Sequence, residues 1–532
     1  MFKVCLHNCL SVFKKYKIDI CIVLIFLLTL SLRVCAIHNK TFLFFDDVST
    51  FIVSTPNNLL EDGSKVKYGW ADLRFKYGQD YTAYDIKKAL MESKADLKSI
   101  CKDLISLHNV SLDNQHTNFY LSIFRIWSSG ADFSSTKSMI LVAGYLNLIF
   151  FTMAFLFMYK LLYLIKPDKV FIAIGLFFAF ITTGSISNTL LLRSYPLMEA
   201  LFILAMYYFV VLYKSTNTKN NITIKEGLLY SFIFALFLLS DYYPLVLMVF
   251  LTLILTVRTL KEKKIKICIS VWGIMLFAIL LVYLFCPSYF ENFKNIEHMK
   301  ETRQFATFTN FIDIYRNGLY MIEFLVKYIF NNLSFYIIVL AMGIMGIPVL
   351  GKNKLEKDEW KKFLLIYGIT FLWAYVVVVI SPFHEDPAVR YIIPTFSVLG
   401  LILGVINYHL RKEYVIILML VTTIASYAPV SGNIILKRLN FKNYGVVSFA
   451  KDFDYLNINH FVYNKKTKQI RKVVFVNRNW MWPTKLFYLP NDTIVRFERI
   501  VPSDYYLNEE YVLVNNEKIK VVYPKIYKKG EL

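Results

Sequence analysis

Residues 18–48 read IDICIVLIFLLTLSLRVCAIHNKTFLFFDDV, an apolar run that leads into two adjacent aspartates. The apolar part is long enough to cross a lipid bilayer, with Arg33 as an interruption. Asp46 and Asp47 follow about ten residues beyond it. Carboxylates at the mouth of a membrane helix are costly to hold near lipid and usually serve a function. The stretch therefore predicts chemistry at a boundary between membrane and water.

The composition extends this prediction to the whole chain. Of its 532 residues 56% are hydrophobic, and the mean hydropathy is +0.47. A soluble chain of this length would divide into several domains with a lower apolar fraction. Here the apolar residues cluster in long runs, which is typical of a polytopic α-helical membrane protein.

The formal charge of +22 has a membrane explanation rather than a nucleic-acid one. The basic residues lie in short loops between apolar runs, as cytoplasmic loops facing anionic headgroups do. The chain has no zinc-finger, helicase or RNA-binding motif, so no nucleic-acid partner is expected. Its seven cysteines have no paired CxxC spacing, and neither a disulfide framework nor a metal site is expected.

The hydropathy pattern predicts about eleven transmembrane spans with a cytoplasmic N-terminus and an external C-terminal tail. The first span lacks a small-residue cleavage site and is expected to remain as a helix. The predicted limits are 18–37, 138–164, 170–190, 195–213, 227–240, 244–258, 267–286, 331–350, 363–381, 391–409 and 413–430.

Three external pieces follow from this topology, within a membrane domain at 1–430 and a soluble C-terminal domain at 431–532. The loop 38–137 is mostly polar, and 287–330 is expected to form one or two interface helices. The tail is predicted to be a small mixed α/β domain. The segments that carry these patterns are Tyr84–Leu107 for helix, and Lys472–Val476 and Tyr511–Tyr523 for strands.

Several polar motifs fall on the predicted outer face, although none of them was used to set the topology. Such convergence is what an active site at one membrane face requires. The motifs are Asp46-Asp47, Asp113-Asn114-Gln115-His116, Arg193-Ser194-Tyr195, Ser240-Asp241-Tyr242-Tyr243, His384-Glu385-Asp386 and Arg390-Tyr391.

Each motif also has a plain structural alternative. The acidic pair would cap a helix, and His116 would be a surface histidine. Arg193 would be a snorkelling residue at the interface, Arg390-Tyr391 an interfacial anchor, and Asp241 a loop carboxylate in water.

Transfer of a group from a charged lipid donor fits these residue types. A carboxylate near a hydroxyl acceptor serves as general base, and burial tunes its pKa upward. An arginine grips a phosphate through its planar fork and stabilises the leaving group.

In this order the motifs resemble the GT-C glycosyltransferases of the dolichyl-phosphate-mannose protein mannosyltransferase type, which include the bacterial aminoarabinose transferase acting on lipid A. Asp113–Tyr120 is similar to the family's Asp-x-His-Pro-Pro-Leu-Tyr segment, and Leu192–Leu197 to its Arg-x-Tyr-x-Leu segment. Ser240–Tyr243 is similar to Thr-His-Tyr, Arg390–Pro394 to Arg-Tyr-x-x-Pro, and Phe45-Asp46-Asp47 to the acidic pair after the first span. The likeness covers most of residues 15–410.

The chain departs from the family pattern at two places. Thr117 and Asn118 replace the two prolines, which suggests a differently shaped loop. Asp241 stands where a histidine is usual in the family.

The resemblance implies a fold, a donor and a set of roles. The fold is a GT-C bundle with outer interface helices, placed in the bacterial inner membrane with its active site outside. The donor is a polyprenyl-phosphate-linked sugar, no cofactor is implied, and most members of this type need no metal. The implied base is Asp46 or Asp47, Asp113 and His116 line the pocket, and Arg193 and Arg390 contact the phosphate. The remaining substrate-binding candidates are Tyr195, Asp241, Tyr242 and Tyr391, with Lys65 and Lys67 added on charge alone.

The sequence therefore predicts an inverting glycosyltransferase whose acceptor is a hydroxyl of a lipid, glycan or protein. One alternative is a flippase or other transporter, which would have charges inside its spans near the midplane and repeated halves. A surface-polysaccharide polymerase or ligase is another, although its dominant outer loop usually comes late in the chain. A scaffold protein would leave the acidic pair and the arginines without a role.

Overall fold

The structure is a computed structural model, and it describes only part of the chain. The described residues are 2–40, 43, 45–56, 80–109, 117–133, 135–218, 221–287, 289–290, 311–329, 349–380, 389–431, 461–464, 469–477, 491, 494–498, 507–514 and 517–524. For some of them, including Asp46 and Arg390, only the backbone is described.

The described residues are mostly helical. The helices are α1 Phe2–Asn39, α2 Phe45–Ser54, α3 Ala83–Met91, α4 Leu97–Asn109, α5 Asn118–Trp127, α6 Thr136–Ile165, α7 Lys169–Phe180, α8 Thr183–Leu190, α9 Tyr195–Thr218, α10 Ile224–Ser240, α11 Pro244–Lys261, α12 Ile265–Phe285, α13 Phe311–Tyr328, α14 Lys357–Ile380, α15 Val389–Ile392, α16 Phe396–Leu399, α17 Leu401–Tyr408 and α18 Lys412–Ser431. A 3-10 turn, Ile393–Thr395, joins α15 to α16.

The chain divides into two compact units. The helical unit comprises Met1–Lys40, Asp113–Ile123 and Ala143–Tyr444, and the sheet unit comprises Thr41–Leu112, Phe124–Val142 and Gly445–Leu532.

Six described helices are long and apolar enough to cross a membrane, or seven if a bent pair counts as one span. By length and composition they assign the chain to the integral membrane proteins. They are Ile18–Asn39, Thr136–Ile165, Tyr195–Thr216, Pro244–Lys261, Ile265–Phe285 and Lys357–Val379, and the bent pair is Lys169–Phe180 with Thr183–Leu190.

The predicted count of eleven spans is not confirmed. The span predicted at 170–190 is two helices that meet at an angle of 57°. The span predicted at 391–409 is divided between α15, the 3-10 turn, α16 and α17, because Pro394 cannot donate a helical hydrogen bond. Helix α10 has only 17 residues, and most of the span predicted at 331–350 lies outside the described residues.

Close backbone contact holds part of the helical unit together. A Cβ built on Gly404 in α17 would lie 3.0 Å from the Cα of Gly175 in α7. Two glycines that face each other let membrane helices approach more closely than larger residues allow. Both helices are almost wholly buried along this contact.

The described residues of the sheet unit form one sheet of six strands in the order β1-β4-β3-β2-β6-β5, numbered along the chain. Two segments were predicted to be extended: Lys472–Val476 lies within the strand Gln469–Asn477, and the described residues of Tyr511–Tyr523 lie in the strands Leu507–Val514 and Glu517–Pro524. The mixed α/β character of the tail is not confirmed, since its described residues are almost all in strands, and the domain boundary at residue 430 stays a prediction. The strands are β1 Asp80–Thr82, β2 Phe461–Asn464, β3 Gln469–Asn477, β4 Ile494–Glu498, β5 Leu507–Val514 and β6 Glu517–Pro524.

Strand β1 comes from the predicted first outer loop and pairs antiparallel with β4 from the C-terminal segment. The same loop contains α3 and α4, where the sequence predicted a helical patch. Arg125 of α5 is wholly buried and binds α4 and the segment that joins it to α3, with its Nε 2.6 Å from Asp103 Oδ2. Its Nη1 donates to Ser93 Oγ at 3.1 Å and its Nη2 to the Lys94 carbonyl at 2.9 Å.

Candidate active site

Three of the predicted motifs come together in the helical unit, because Tyr195 of one motif and Tyr243 of another both pack against Tyr391 of a third. The ring of Tyr391 lies 4.9 Å from that of Tyr243 and 6.3 Å from that of Tyr195, measured between centroids. Tyr195 and Tyr391 are 1% and 5% exposed. Three segments that are far apart in sequence therefore converge on one aromatic cluster, formed by Tyr195, Tyr243 and Tyr391.

Prolines explain why the chain turns at this cluster. Pro196 is the second residue of α9, Pro244 the first of α11, and Pro394 stands in the 3-10 turn that follows α15. Proline fits the first turn of a helix because its φ is preset and the N–H it lacks would have no helical partner. Helices α9 and α11 thus both begin at the aromatic cluster.

The turn before α9 places polar groups at this point. Arg193 and Ser194 are only 6% and 3% exposed, and the Ser194 hydroxyl has no hydrogen-bond partner among the described atoms. The first N–H groups of a helix lack helical acceptors and carry partial positive charge. Two helix N-termini next to a buried arginine form an environment that favours an anion.

The Ser240–Tyr243 segment is also buried. Asp241 is 1% exposed and its Oδ1 accepts the Tyr242 amide at 2.6 Å, which does not fit a loop carboxylate in water. The Tyr242 ring lies 4.8 Å from the ring of Tyr289. Burial raises the pKa of Tyr289 well above its usual range, and the nearby Tyr242 and Asp241 add to the rise. Tyr289 therefore stays a neutral phenol at physiological pH.

A fourth motif contacts the same region. The hydroxyl of Thr117 donates to the carbonyl of Leu239, one residue before the Ser240–Tyr243 segment. Tyr120 is 1% exposed and its ring packs 6.2 Å from that of Phe150. Thr117, which stands where the family has proline, thus attaches the end of its motif to the end of α10.

The acidic pair lies in the sheet unit. Asp46 and Asp47 are the second and third residues of α2, and Asp47 is 1% exposed. Acidic residues in a first turn also stabilise the helix dipole, so the capping alternative stays open. The side chain of Arg390 is not described, although its backbone lies in α15. Four further candidates lie outside the described residues: Lys65, Lys67, Asp113 and His116.

The helical unit also contains a buried network of charged and polar side chains that was not predicted from the sequence. Arg33 of α1 is wholly buried and donates to Ser185 Oγ at 2.8 Å and to Thr189 Oγ1 at 3.1 Å, both in α8. It also donates to the Phe180 carbonyl at 3.0 Å, at the end of α7 where the chain bends. The guanidinium carbon stands 4.0 Å from the centroid of the Phe151 ring. One arginine thus satisfies the backbone at the break and holds both halves of the bent pair.

The opposite charge lies beyond α8. Glu199 of α9 is 2% exposed, and its Oε2 accepts from Asn188 Nδ2 at 2.8 Å. Arg33 and Glu199 make no direct ion pair among the described contacts but interact electrostatically through α8. Helix α8 therefore lies between a buried guanidinium group and a buried carboxyl group, each bound to it by hydrogen bonds.

The non-helical turn that carries Arg193 is held by two further side chains. Lys40 Nζ donates to the Leu190 carbonyl at 2.6 Å. Asn147 Nδ2 donates to the carbonyls of Thr189 and Leu191 at 3.0 and 2.8 Å. Irregular backbone at membrane depth must have its polar groups satisfied by protein, and here side chains from α6 and the end of α1 do so.

In the sequence the signal for this network was the presence of single polar residues inside apolar runs, namely Arg33, Asn147 and Glu199. Such residues are functional candidates by default, but their partners depend on the break in 170–190, which hydropathy did not indicate. Among the described residues no group of three His, Cys, Asp or Glu side chains is placed to hold a metal ion.

No protein-family model and no curated protein matches the chain. Among solved structures it is similar to the archaeal oligosaccharyltransferase AglB from Archaeoglobus fulgidus in complex with an inhibitory peptide and a dolichol-phosphate, with a TM-score of 0.39 and 12% identity. It is also similar to the Archaeoglobus fulgidus oligosaccharyltransferase tethered with an acceptor peptide containing the NVT sequon, with a TM-score of 0.37 and 11% identity.

The two alignments cover 80% and 92% of this chain but only 56% and 65% of those chains. The chain therefore spans less than two thirds of the length of either one. At TM-scores this low, neither likeness assigns a fold or a function to this chain.

Proposed function

We propose that the chain is an integral-membrane glycosyltransferase of the GT-C type that moves one sugar from a polyprenyl-phosphate donor to an acceptor hydroxyl. The acceptor is a hydroxyl of a lipid, glycan or protein at the outer face. The observation that carries the proposal is the convergence of Tyr195, Tyr243 and Tyr391, with Arg193 buried beside them at the start of α9. These residues belong to three of the motifs that carry the family resemblance.

In this proposal the acceptor oxygen attacks the anomeric carbon as the bond from that carbon to the phosphate oxygen breaks. Asp46 or Asp47 takes the proton of the acceptor hydroxyl. The leaving group is the polyprenyl phosphate, whose added negative charge is stabilised by Arg193, Arg390 and the N-termini of α9 and α11. A single displacement of this kind inverts the anomeric centre.

Buried tyrosines suit the remainder of the site. A neutral phenol donates a hydrogen bond to sugar or phosphate oxygens, while its ring excludes water from the reacting bond. Tyr195 and Tyr391 are assigned this role, with Tyr242 beside them. Asp113, His116, Lys65 and Lys67 stay assigned to the pocket on sequence grounds alone.

The direct test is transfer of radiolabelled sugar from a panel of polyprenyl-phosphate sugars by the purified full-length chain, with total membrane lipid, glycan and protein extracts as acceptors. The expected result is a labelled product together with one free polyprenyl phosphate for each transfer. Absence of transfer from every donor would overturn the proposal.

Arg193→Gln is expected to lower kcat/KM for the donor about 10–100-fold, because a charge-assisted hydrogen bond to phosphate is lost. Arg193→Lys keeps the charge but not the planar fork, so its loss should lie between those of wild type and Arg193→Gln. The matched control is Arg411→Gln, which removes the same charge from a half-exposed side chain. Unchanged donor kinetics in Arg193→Gln would remove this residue from the site.

A lipid-linked glycan flippase is the second candidate, because one observation favours it. Arg33 and Glu199 are charges buried inside candidate spans, and α7 and α8 form a broken helix, both of which occur in transporters. Arg33 lies six residues, ~9 Å, before the end of its helix, and Glu199 lies four residues, ~6 Å, after the start of its own. Both charged side chains are therefore nearer to a helix end than to the midplane, where a transporter places them. A chain that moves a lipid-linked glycan across vesicle membranes without sugar transfer would be a flippase.

A further inference from the structure

A second lipid-facing site lies at the other ends of α9 and α11. Both helices start at the aromatic cluster, and Tyr213 stands 18 residues along α9, ~27 Å from Tyr195. Arg258 stands 14 residues along α11, ~21 Å from Pro244. These lengths approach the thickness of a hydrocarbon core, which places the two residues near the opposite membrane surface.

A cavity of about 550 Å³ opens at this point. One wall is apolar, and Leu253 and Val257 on it are 49% and 51% exposed. The rim is charged: Arg258 follows Val257 directly, Lys261 lies one turn beyond Val257 in α11, and Glu262 follows the end of that helix. An apolar wall open to the surroundings beneath a charged rim is the shape that an amphipathic lipid requires.

Neighbouring side chains hold the Arg258 guanidinium in place at the rim of the cavity. The guanidinium carbon lies 3.5 Å from the centroid of the Tyr213 ring, and Arg258 Nε donates to Thr216 Oγ1 at 3.0 Å. Glu262 stands 3.2 Å from Arg258 and 3.7 Å from Lys264, so its negative charge is shared between two cations. The two cations that line the cavity, Arg258 and Lys261, outnumber this carboxylate, which leaves the rim positive.

We infer that this cavity binds an anionic phospholipid, with its phosphate at Arg258 and Lys261 and an acyl chain along Leu253 and Val257. Basic pockets between membrane helices recognise anionic headgroups by this combination of charge and apolar surface. The lipid is assigned to the leaflet opposite the aromatic cluster, so it is distinct from the proposed donor. The inference does not depend on the proposed transferase.

The test compares phosphatidylglycerol with phosphatidylcholine of the same acyl chains, added to the full-length protein in neutral detergent. Unfolding temperature and native mass spectrometry report binding. Phosphatidylglycerol is expected to bind more tightly and to raise the unfolding temperature more. Lys261→Gln should weaken the binding of phosphatidylglycerol roughly 5-fold, because the attraction between one lysine and the anionic headgroup is lost.

Two further variants separate a cavity from general surface charge. Val257→Trp keeps every charge but fills the apolar wall, and it should also weaken phosphatidylglycerol binding. Lys266→Gln removes one exposed lysine that does not line the cavity, and it should leave binding unchanged. Equal binding of the two lipids, an equal loss in Lys266→Gln, or full binding by Val257→Trp would each overturn the inference.

Discussion

The double variant Asp46→Asn, Asp47→Asn is expected to lose sugar transfer by about 10²–10⁴-fold, the usual contribution of a general base. Asparagine has the shape of aspartate but takes no proton from an attacking hydroxyl. Asp47 is 1% exposed, so an isosteric replacement is the least disruptive change at that position. The single variants then identify the base, because only one of the two should reproduce the loss.

The acidic pair has an alternative role, which is to stabilise the start of a helix. The control variant therefore removes a carboxylate that has only this role. Asp85 stands in the first turn of α3, in the same unit, with its Oδ2 2.5 Å from the Thr82 hydroxyl. Asp85→Asn should lower stability slightly, by about 0.3–1 kcal/mol, and leave transfer intact. Full transferase activity in the double variant, with donor binding kept, would show that Asp46 and Asp47 only cap α2.

Much of the helical unit could be predicted from the sequence because its signals are local. The apolar runs gave the long helices, and Pro196 and Pro244 mark where α9 and α11 begin. The Arg193–Tyr195 and Ser240–Tyr243 segments stood out as polar interruptions between such runs. Their contact through Tyr391 agrees with the expectation that these motifs converge, although their catalytic roles stay predictions.

What could not be predicted depends on partners far away in sequence. The break between α7 and α8 has no proline, and it is held by Arg33, roughly 150 residues earlier. Strand β1 has three residues, too few to show a period, and it exists because β4 pairs with it. The 3-10 turn at 393–395 was hidden for a different reason, since the apolar residues around Pro394 kept the hydropathy high.

Arg33→Met is expected to lower the free energy of unfolding by about 3–5 kcal/mol, the typical cost of removing one partner from a buried charge arrangement. The change leaves the hydroxyls of Ser185 and Thr189 and the Phe180 carbonyl without their donor. It also removes the positive charge that favours the ionised form of the Glu199 carboxyl. Titration of the purified protein with denaturing detergent measures the loss.

A double-mutant cycle distinguishes this network from ordinary packing. If α8 couples the two charges, the variant Arg33→Met, Glu199→Gln should be more stable than the sum of the single losses predicts, by about 0.5–3 kcal/mol. Arg411→Met removes the same side chain from a half-exposed position and should cost no more than about 1 kcal/mol. Additive losses in the double variant would mean that Arg33 and Glu199 act independently. Helix α8 leads directly into the turn that carries Arg193. Coupling between Arg33 and Glu199 across α8 would therefore also explain what fixes the position of that turn among apolar residues.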